Sequence, residues 1–145
     1  MTMLIVQVSL DDANKFSNKY SSRFSYIDTC EFAIGIVDGA GDLHGVAICR
    51  QPANNETGER TLEIACLSTD GWYCADLLLY KACLRFARNM GYSKAVTLAA
   101  SDRSTNTLMT KLGFISVDEL KGLKRLKSKR RKQEIRWVRE LSKNE

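Results

Sequence analysis

The chain has 145 residues, 44% hydrophobic and 27% charged, the proportions of one globular domain (residues 1–145) rather than of a disordered or fibrous chain. No apolar run approaches the roughly 20 residues that span a bilayer, and Met1 to Leu10 lacks the basic start and small-residue cleavage site of a signal peptide, so the expected compartment is the cytoplasm. The net charge of +5 conceals an asymmetry: residues 1–120 carry 11 Lys/Arg against 14 Asp/Glu, residues 121–145 carry 11 against 3.

In chain order, Leu4 to Val8 reads as a short strand. Ser9, followed by Asp11 and Asp12, is an N-cap signal with acidic residues in the first turn, and Ala13, Phe16 and Tyr20 give the following helix an apolar face. Residues 21–29 read as a loop. Glu31 to Val37 and Leu43 to Cys49 are apolar runs separated by Asp38-Gly-Ala-Gly-Asp42, a hairpin signal. After a polar loop, Arg60 to Leu67 is a third long strand. Ser68 to Gly71 ends it and opens a helix over about Tyr73 to Met90, with apolar residues at three- and four-residue spacing and Gly91 as its stop. Ala95 to Ala99 reads as a wholly apolar strand, as suits burial on both faces. Ser101 caps a helix through Leu112, ended by Gly113. Phe114 to Leu120 and Glu134 to Leu141 are the last strands, joined by the basic stretch Lys121 to Lys132. The order β-α-β-β-β-α-β-α-β-β, with a long helix crossing between two central strands, predicts an α/β (α+β) fold: a mixed, mostly antiparallel sheet of six to seven strands with helices on both faces.

The five cysteines include no CxxC pair and His44 is the single histidine, so no metal centre is expected. In a reducing compartment the thiols serve as small apolar fillers. Cys74 is set apart by its place near a helix N-terminus, where a thiolate is favoured. His44, beside the hairpin turn, reads as a surface residue, and Trp137 as core.

Arg88-Asn-Met-Gly-Tyr92 at the end of the long helix and Leu108-Met-Thr-Lys-Leu-Gly-Phe114 together resemble the GCN5-related N-acetyltransferases, whose corresponding helix ends in Leu-Tyr-x-Lys-Leu-Gly-Phe. Phe32-Ala-Ile-Gly35, Thr61-Leu-Glu63 and Leu67-Ser-Thr-Asp-Gly71 are similar to uncharacterised acetyltransferase-like proteins of phages and mobile elements, with a more distant likeness to Mom-type enzymes that modify adenine in DNA. Two departures stand out. Thr69-Asp-Gly-Trp-Tyr-Cys-Ala75 replaces the family's glycine-rich cofactor loop, and Met109 stands where the family has its tyrosine acid.

The resemblance implies acetyl-CoA, or another acyl-CoA, as cofactor. Transfer to an amine requires a base, a polarised thioester carbonyl and a proton donor for the departing thiolate. Glu63 and Asp70 are the candidate bases on and after the central strand, and Tyr20 a candidate donor. A structural ion pair for Glu63 and a helix cap for Asp70 are the competing roles. Leu67, Ser68, Thr69, Trp72, Tyr73, Cys74 and Ala75 are the candidate cofactor contacts, joined by Asp102 and Asn106 after the buried strand. Lys121 to Lys132 holds eight Lys/Arg in twelve residues, so Lys127, Lys129, Arg130, Arg131 and Lys132 are candidate phosphate contacts to a nucleic acid, giving affinity without sequence reading. The expected function is N-acyl transfer to an amine on a protein or nucleic acid. A Mom-like base modifier and a non-catalytic binding or inhibitor protein are the alternatives.

Overall fold

A computed structural model describes residues 2–21, 25–52, 60–100, 103–117 and 134–141. Strand β1 (Met3–Gln7) is followed by helix α1 (Leu10–Tyr20), strands β2 (Phe32–Asp38), β3 (Leu43–Arg50) and β4 (Thr61–Thr69), helix α2 (Ala75–Asn89), strand β5 (Lys94–Ala100), helix α3 (Arg103–Lys111), and strands β6 (Ile115–Ser116) and β7 (Glu134–Glu140). The expected element order is therefore observed. The seven strands form one sheet in the order β1-β2-β3-β4-β5-β7-β6. Every neighbouring pair is antiparallel except β4–β5, which the α2 crossover makes parallel.

Local chemistry explains the boundaries. The Ser9 hydroxyl accepts from the Asp12 amide at 3.0 Å and starts α1. Ala13, Asn14, Phe16 and Ser17 turn inward. Asn14 then pins the loop that follows: its amide nitrogen donates to the Ile27 carbonyl at 2.9 Å, and its carbonyl oxygen accepts the Ile27 amide at 3.0 Å. At the far end of α2, Gly91 has φ +88°, and the Tyr92 amide bonds back to the Ala87 carbonyl at 3.0 Å.

The sheet separates two cores. Ile34, Ile36, Ala47, Cys49, Leu62 and Ile64 face α2 and α3, together with Leu79, Cys83, Met109, Phe114 and Trp137. Ala33, Val46 and Ile48 face α1, packing on Ala13 and Phe16. Helices thus cover both faces, and α2 sits very close to the sheet at Gly45. A Cβ there would lie 2.9 Å from Leu79 Cδ1 and 3.1 Å from the Ser68 carbonyl. No helix among the described residues is long and apolar enough to cross a membrane.

Three expectations need adjustment. β4 runs to Thr69 rather than Leu67, and α2 begins at Ala75 rather than Tyr73. The β5 strand is not wholly apolar: Thr97 sits inside it, its hydroxyl donating to the Ile64 carbonyl at 2.9 Å. The basic stretch Lys121 to Lys132 and Asp102 lie outside the described residues.

Candidate active site

β4 and β5 pair only from Thr61↔Lys94 to Ile64↔Thr97. Beyond that point β4 stays with β3 as far as Gly45↔Thr69, and β5 stays with β7 as far as Ala100↔Glu134. The two halves of the sheet therefore part. A cleft of about 500 Å³ fills the gap. The Thr97 hydroxyl marks its apex. Beside it lies the phenol of Tyr80, whose pKa is pushed well above the ordinary value by burial, with Cys83 and Asp76 adding to the rise.

A bulge in β4 decides which side chains reach this cleft. Ile48 pairs with Cys66 but Cys49 pairs with Ile64, so Ala65 is the extra residue. Before the bulge, Leu62 and Ile64 face α2. After it, Leu67 takes the α2 side, while Cys66 and Ser68 turn to α1. There the buried Ser17 and Ser68 hydroxyls bond to each other at 3.0 Å, and the Ser17 hydroxyl lies 3.2 Å from the Cys66 thiol.

The cleft runs through the sheet and has two mouths. On the α1 side it is lined by Ser17, Ser21, Ser25, Tyr26, Ile27 and Arg50, the loop residues being held by Asn14. On the α2–α3 side it is lined by Asp76, Tyr80, Thr105 and Leu108.

The turn from β4 into α2 is braced from outside. The Asp70 carboxylate accepts the Trp72 amide at 3.1 Å and bonds His44 Nδ1 at 2.7 Å, and His44 Nε2 meets the Asp38 carboxylate at 2.9 Å. The His44 ring packs edge-on against Trp72, centroids 3.5 Å apart. Burial alone would lower the His44 pKa, but its bonds to Asp38 and Asp70 outweigh that and raise it. The bond from His44 in turn holds Asp38 below the ordinary carboxylate range. The turn ends on Cys74, the N-cap of α2, at φ 61° and ψ 9°. It is the one non-glycine with positive φ among the described residues.

Of the residues singled out from sequence, Leu67, Ser68 and Thr69 line the cleft. Ala75 and Cys74 begin α2, with Ala75 fully buried. Trp72 packs on His44, and Tyr73 projects outward, 83% exposed. Glu63 is not in the lining: its carboxylate accepts from Arg50 Nε at 3.0 Å. Asp70 is engaged by His44 and the Trp72 amide. Tyr20 is exposed and stacks on Phe16, and Asn106 is exposed on α3 beside the lining residues Thr105 and Leu108. Asp102 and the basic stretch are outside the described residues.

Sequence reasoning missed Ser17, Arg50, Asp76, Tyr80, Thr97 and the His44 bridge. Signals for some were present: Ser17 is a polar residue on the apolar stripe of α1, and Thr97 a lone hydroxyl in an apolar strand. The bridge from His44 to Asp70 spans 26 residues and leaves no local pattern.

No protein-family model matches the sequence, and no curated protein matches it. Solved structures do match. The ribosomal-protein-S18-alanine N-acetyltransferase of Escherichia coli superposes with a TM-score of 0.72 at 11% identity, covering 97% of this chain and 95% of that one. An IAA acetyltransferase of Bacillus cereus gives 0.69 at 15%, covering 97% and 100%. A Salmonella typhimurium protein described as an acetyltransferase, solved with its cofactor acetyl-CoA, gives 0.70 at 13%, covering 98% and 95%. At such identities the likeness is one of architecture, and in architecture it covers 97–98% of the chain: this protein has the fold of the GCN5-related N-acetyltransferases.

Proposed function

We propose that the protein is an acyl-CoA-dependent N-acyltransferase that moves an acetyl group from acetyl-CoA to an amine. The observation that carries this conclusion is the parting of β4 from β5, with the cleft it opens through the sheet. Acetyl-CoA, when bound, supplies the acyl thioester. The β4 edge from Cys66 to Thr69, which β5 relinquishes, offers unpaired backbone donors and acceptors, and a pantetheine arm with its two amides suits such an edge. At the N-terminus of α2, the amides of Tyr73, Cys74 and Asp76 have no partner among the described residues, and unpaired amides at a helix start suit an anion. The fit is through backbone amides alone, since the turn lacks a glycine-rich loop and Asp76 places a like charge beside them. The Asp76 carboxylate already accepts the Leu77 amide at 2.7 Å.

On the opposite mouth the Ser17 and Ser68 hydroxyls can accept a hydrogen bond from an entering amine and orient its lone pair toward the gap. The Thr97 hydroxyl and the Tyr80 phenol close the apex against water. Glu63 and Asp70 are each held by a neighbour, so in this reading the amine enters the α1-side mouth neutral, its surplus proton passes to solvent there as the C–N bond forms, and the departing thiolate is protonated from solvent on the cofactor side. Titration calorimetry with acetyl-CoA, followed by a thiol-release assay with a panel of primary amines, tests the proposal. Saturable binding and amine-dependent thiol release are expected. No heat of binding at millimolar acetyl-CoA would leave the fold as a scaffold for something other than acyl transfer.

A further inference from the structure

The α1-side mouth carries one cation among its described lining residues, and that cation is unusually well placed. Arg50 ends β3, and its Nε donates to Glu63 Oε1 at 3.0 Å across the β3–β4 pair. The Glu63 side chain is 14% exposed and the Arg50 side chain 39%. Glu63 therefore pins one edge of the guanidinium in a shielded position, while the group remains open to the cleft. A guanidinium has five N–H donors in a planar fork, and Nε provides one of them. Among the described residues the two terminal nitrogens of Arg50 have no partner, and they present the edge that takes a carboxylate through two parallel hydrogen bonds. The other described lining groups of this mouth, Ser17, Ser21, Ser25, Tyr26 and Ile27, are uncharged.

We propose that Arg50 is an acceptor-recognition residue: the amine substrate carries a carboxylate that docks on its terminal nitrogens while the amino group points toward Ser17 and Ser68. The substrate class is a small amino acid rather than a polyamine or other simple cation, which Arg50 would repel. Glu63 is then a positioning residue, orienting the fork rather than touching substrate. The substrate class rests on the acyl-transfer reading of the same cleft, whereas the carboxylate site itself does not.

The test pairs amino acids with their decarboxylated counterparts, L-phenylalanine against phenethylamine and L-lysine against cadaverine, in acetyl-CoA-dependent thiol release. The amino acid of each pair should have the higher kcat/KM by roughly 10- to 100-fold, the span of one charge-assisted hydrogen-bond set. In Arg50→Gln that preference should vanish through KM, and Arg50→Lys should keep only part of it, since a point charge cannot form the fork. Acetyl-CoA affinity of each variant reports whether its fold is intact. Equal rates within both pairs in the wild type, or an Arg50→Gln effect confined to kcat, would overturn the proposal. Binding of N-acetyl-L-phenylalanine, followed by the Arg50 Nε–Hε resonance without acetyl-CoA, is the second measurement. A shift in a protein that fails to bind acetyl-CoA keeps the carboxylate site and sinks acyl transfer. Acetyl-CoA binding with no shift does the reverse.

Discussion

His44 shows what a single side chain does for this cleft. Its ring joins the β2–β3 turn to the β4–α2 turn through Asp38 and Asp70. The folded pKa of His44 lies above its ordinary value of 6.5. Its share of stability is therefore fully present below pH 6.5 and is lost as pH rises through the folded value. Asp38 is depressed, so its share disappears only as pH falls through that lowered value. The melting temperature of His44→Gln should thus fall furthest below wild type in mildly acidic buffer and approach it toward pH 9. A gap that widens with pH would contradict the assigned charge state. Cys74 offers a second test. A left-handed conformation costs a non-glycine residue roughly 1–2 kcal/mol, part of which glycine's greater unfolded freedom offsets. Cys74→Gly should accordingly stabilise the fold by about 0.5–1 kcal/mol in urea unfolding. Destabilisation would mean that the thiol holds something in place.

Among the elements, α1 and the loop after it act as a unit because of Asn14. Its side chain spans Leu10 and Ile27 with three hydrogen bonds, two of them buried. Asn14→Ala leaves the Ile27 amide and carbonyl without partners and should cost about 1–3 kcal/mol. It should also raise the acceptor KM more than the acetyl-CoA KM, because Ser25, Tyr26 and Ile27 form only the α1-side mouth. Equal effects on both constants would show the loop to be incidental. The elements themselves were largely legible in the sequence. The Ser9 cap, the α2 stripe and the glycine stop at Gly91 are local signals, each set by backbone chemistry within a few residues. The end of β4 was not, since Ser68, Thr69 and Asp70 carry turn propensity that pairing with β3 overrides. Arg50 was equally hidden, because its importance comes from a cross-strand neighbour 13 positions away.

For the whole molecule, ligand binding and charge are the measurable consequences. At 100 times its dissociation constant, acetyl-CoA should add about 2.7 kcal/mol to stability. At roughly 4 °C per kcal/mol for a domain of this size, the melting point should rise by about 10 °C. A rise with CoA alone but none with an amine would separate the two mouths. The charge run from Lys121 to Lys132 sets a further expectation. If it neutralises four to six phosphates of duplex DNA, log affinity should fall against log salt with a slope of roughly −3.5 to −5.5, and alanine at Lys129, Arg130, Arg131 and Lys132 should flatten it. No binding near physiological salt would confine the run to solubility.

The extra residue at Ala65 makes β4 behave like two strands spliced out of phase. One half feeds its large side chains to the core beneath α2, and the other sends Ser68 to the opposite layer. Chain length is consequently not interchangeable along this protein. Removing Ala65 alone would restore strict alternation and leave Cys66 and Ser68 facing α1 and Leu67 beneath α2, so at this one position the strand can lose a residue without redirecting its side chains. A codon lost after the bulge has no such slack: without Leu67, Ser68 would turn under the helix and the inner wall of the cleft would invert.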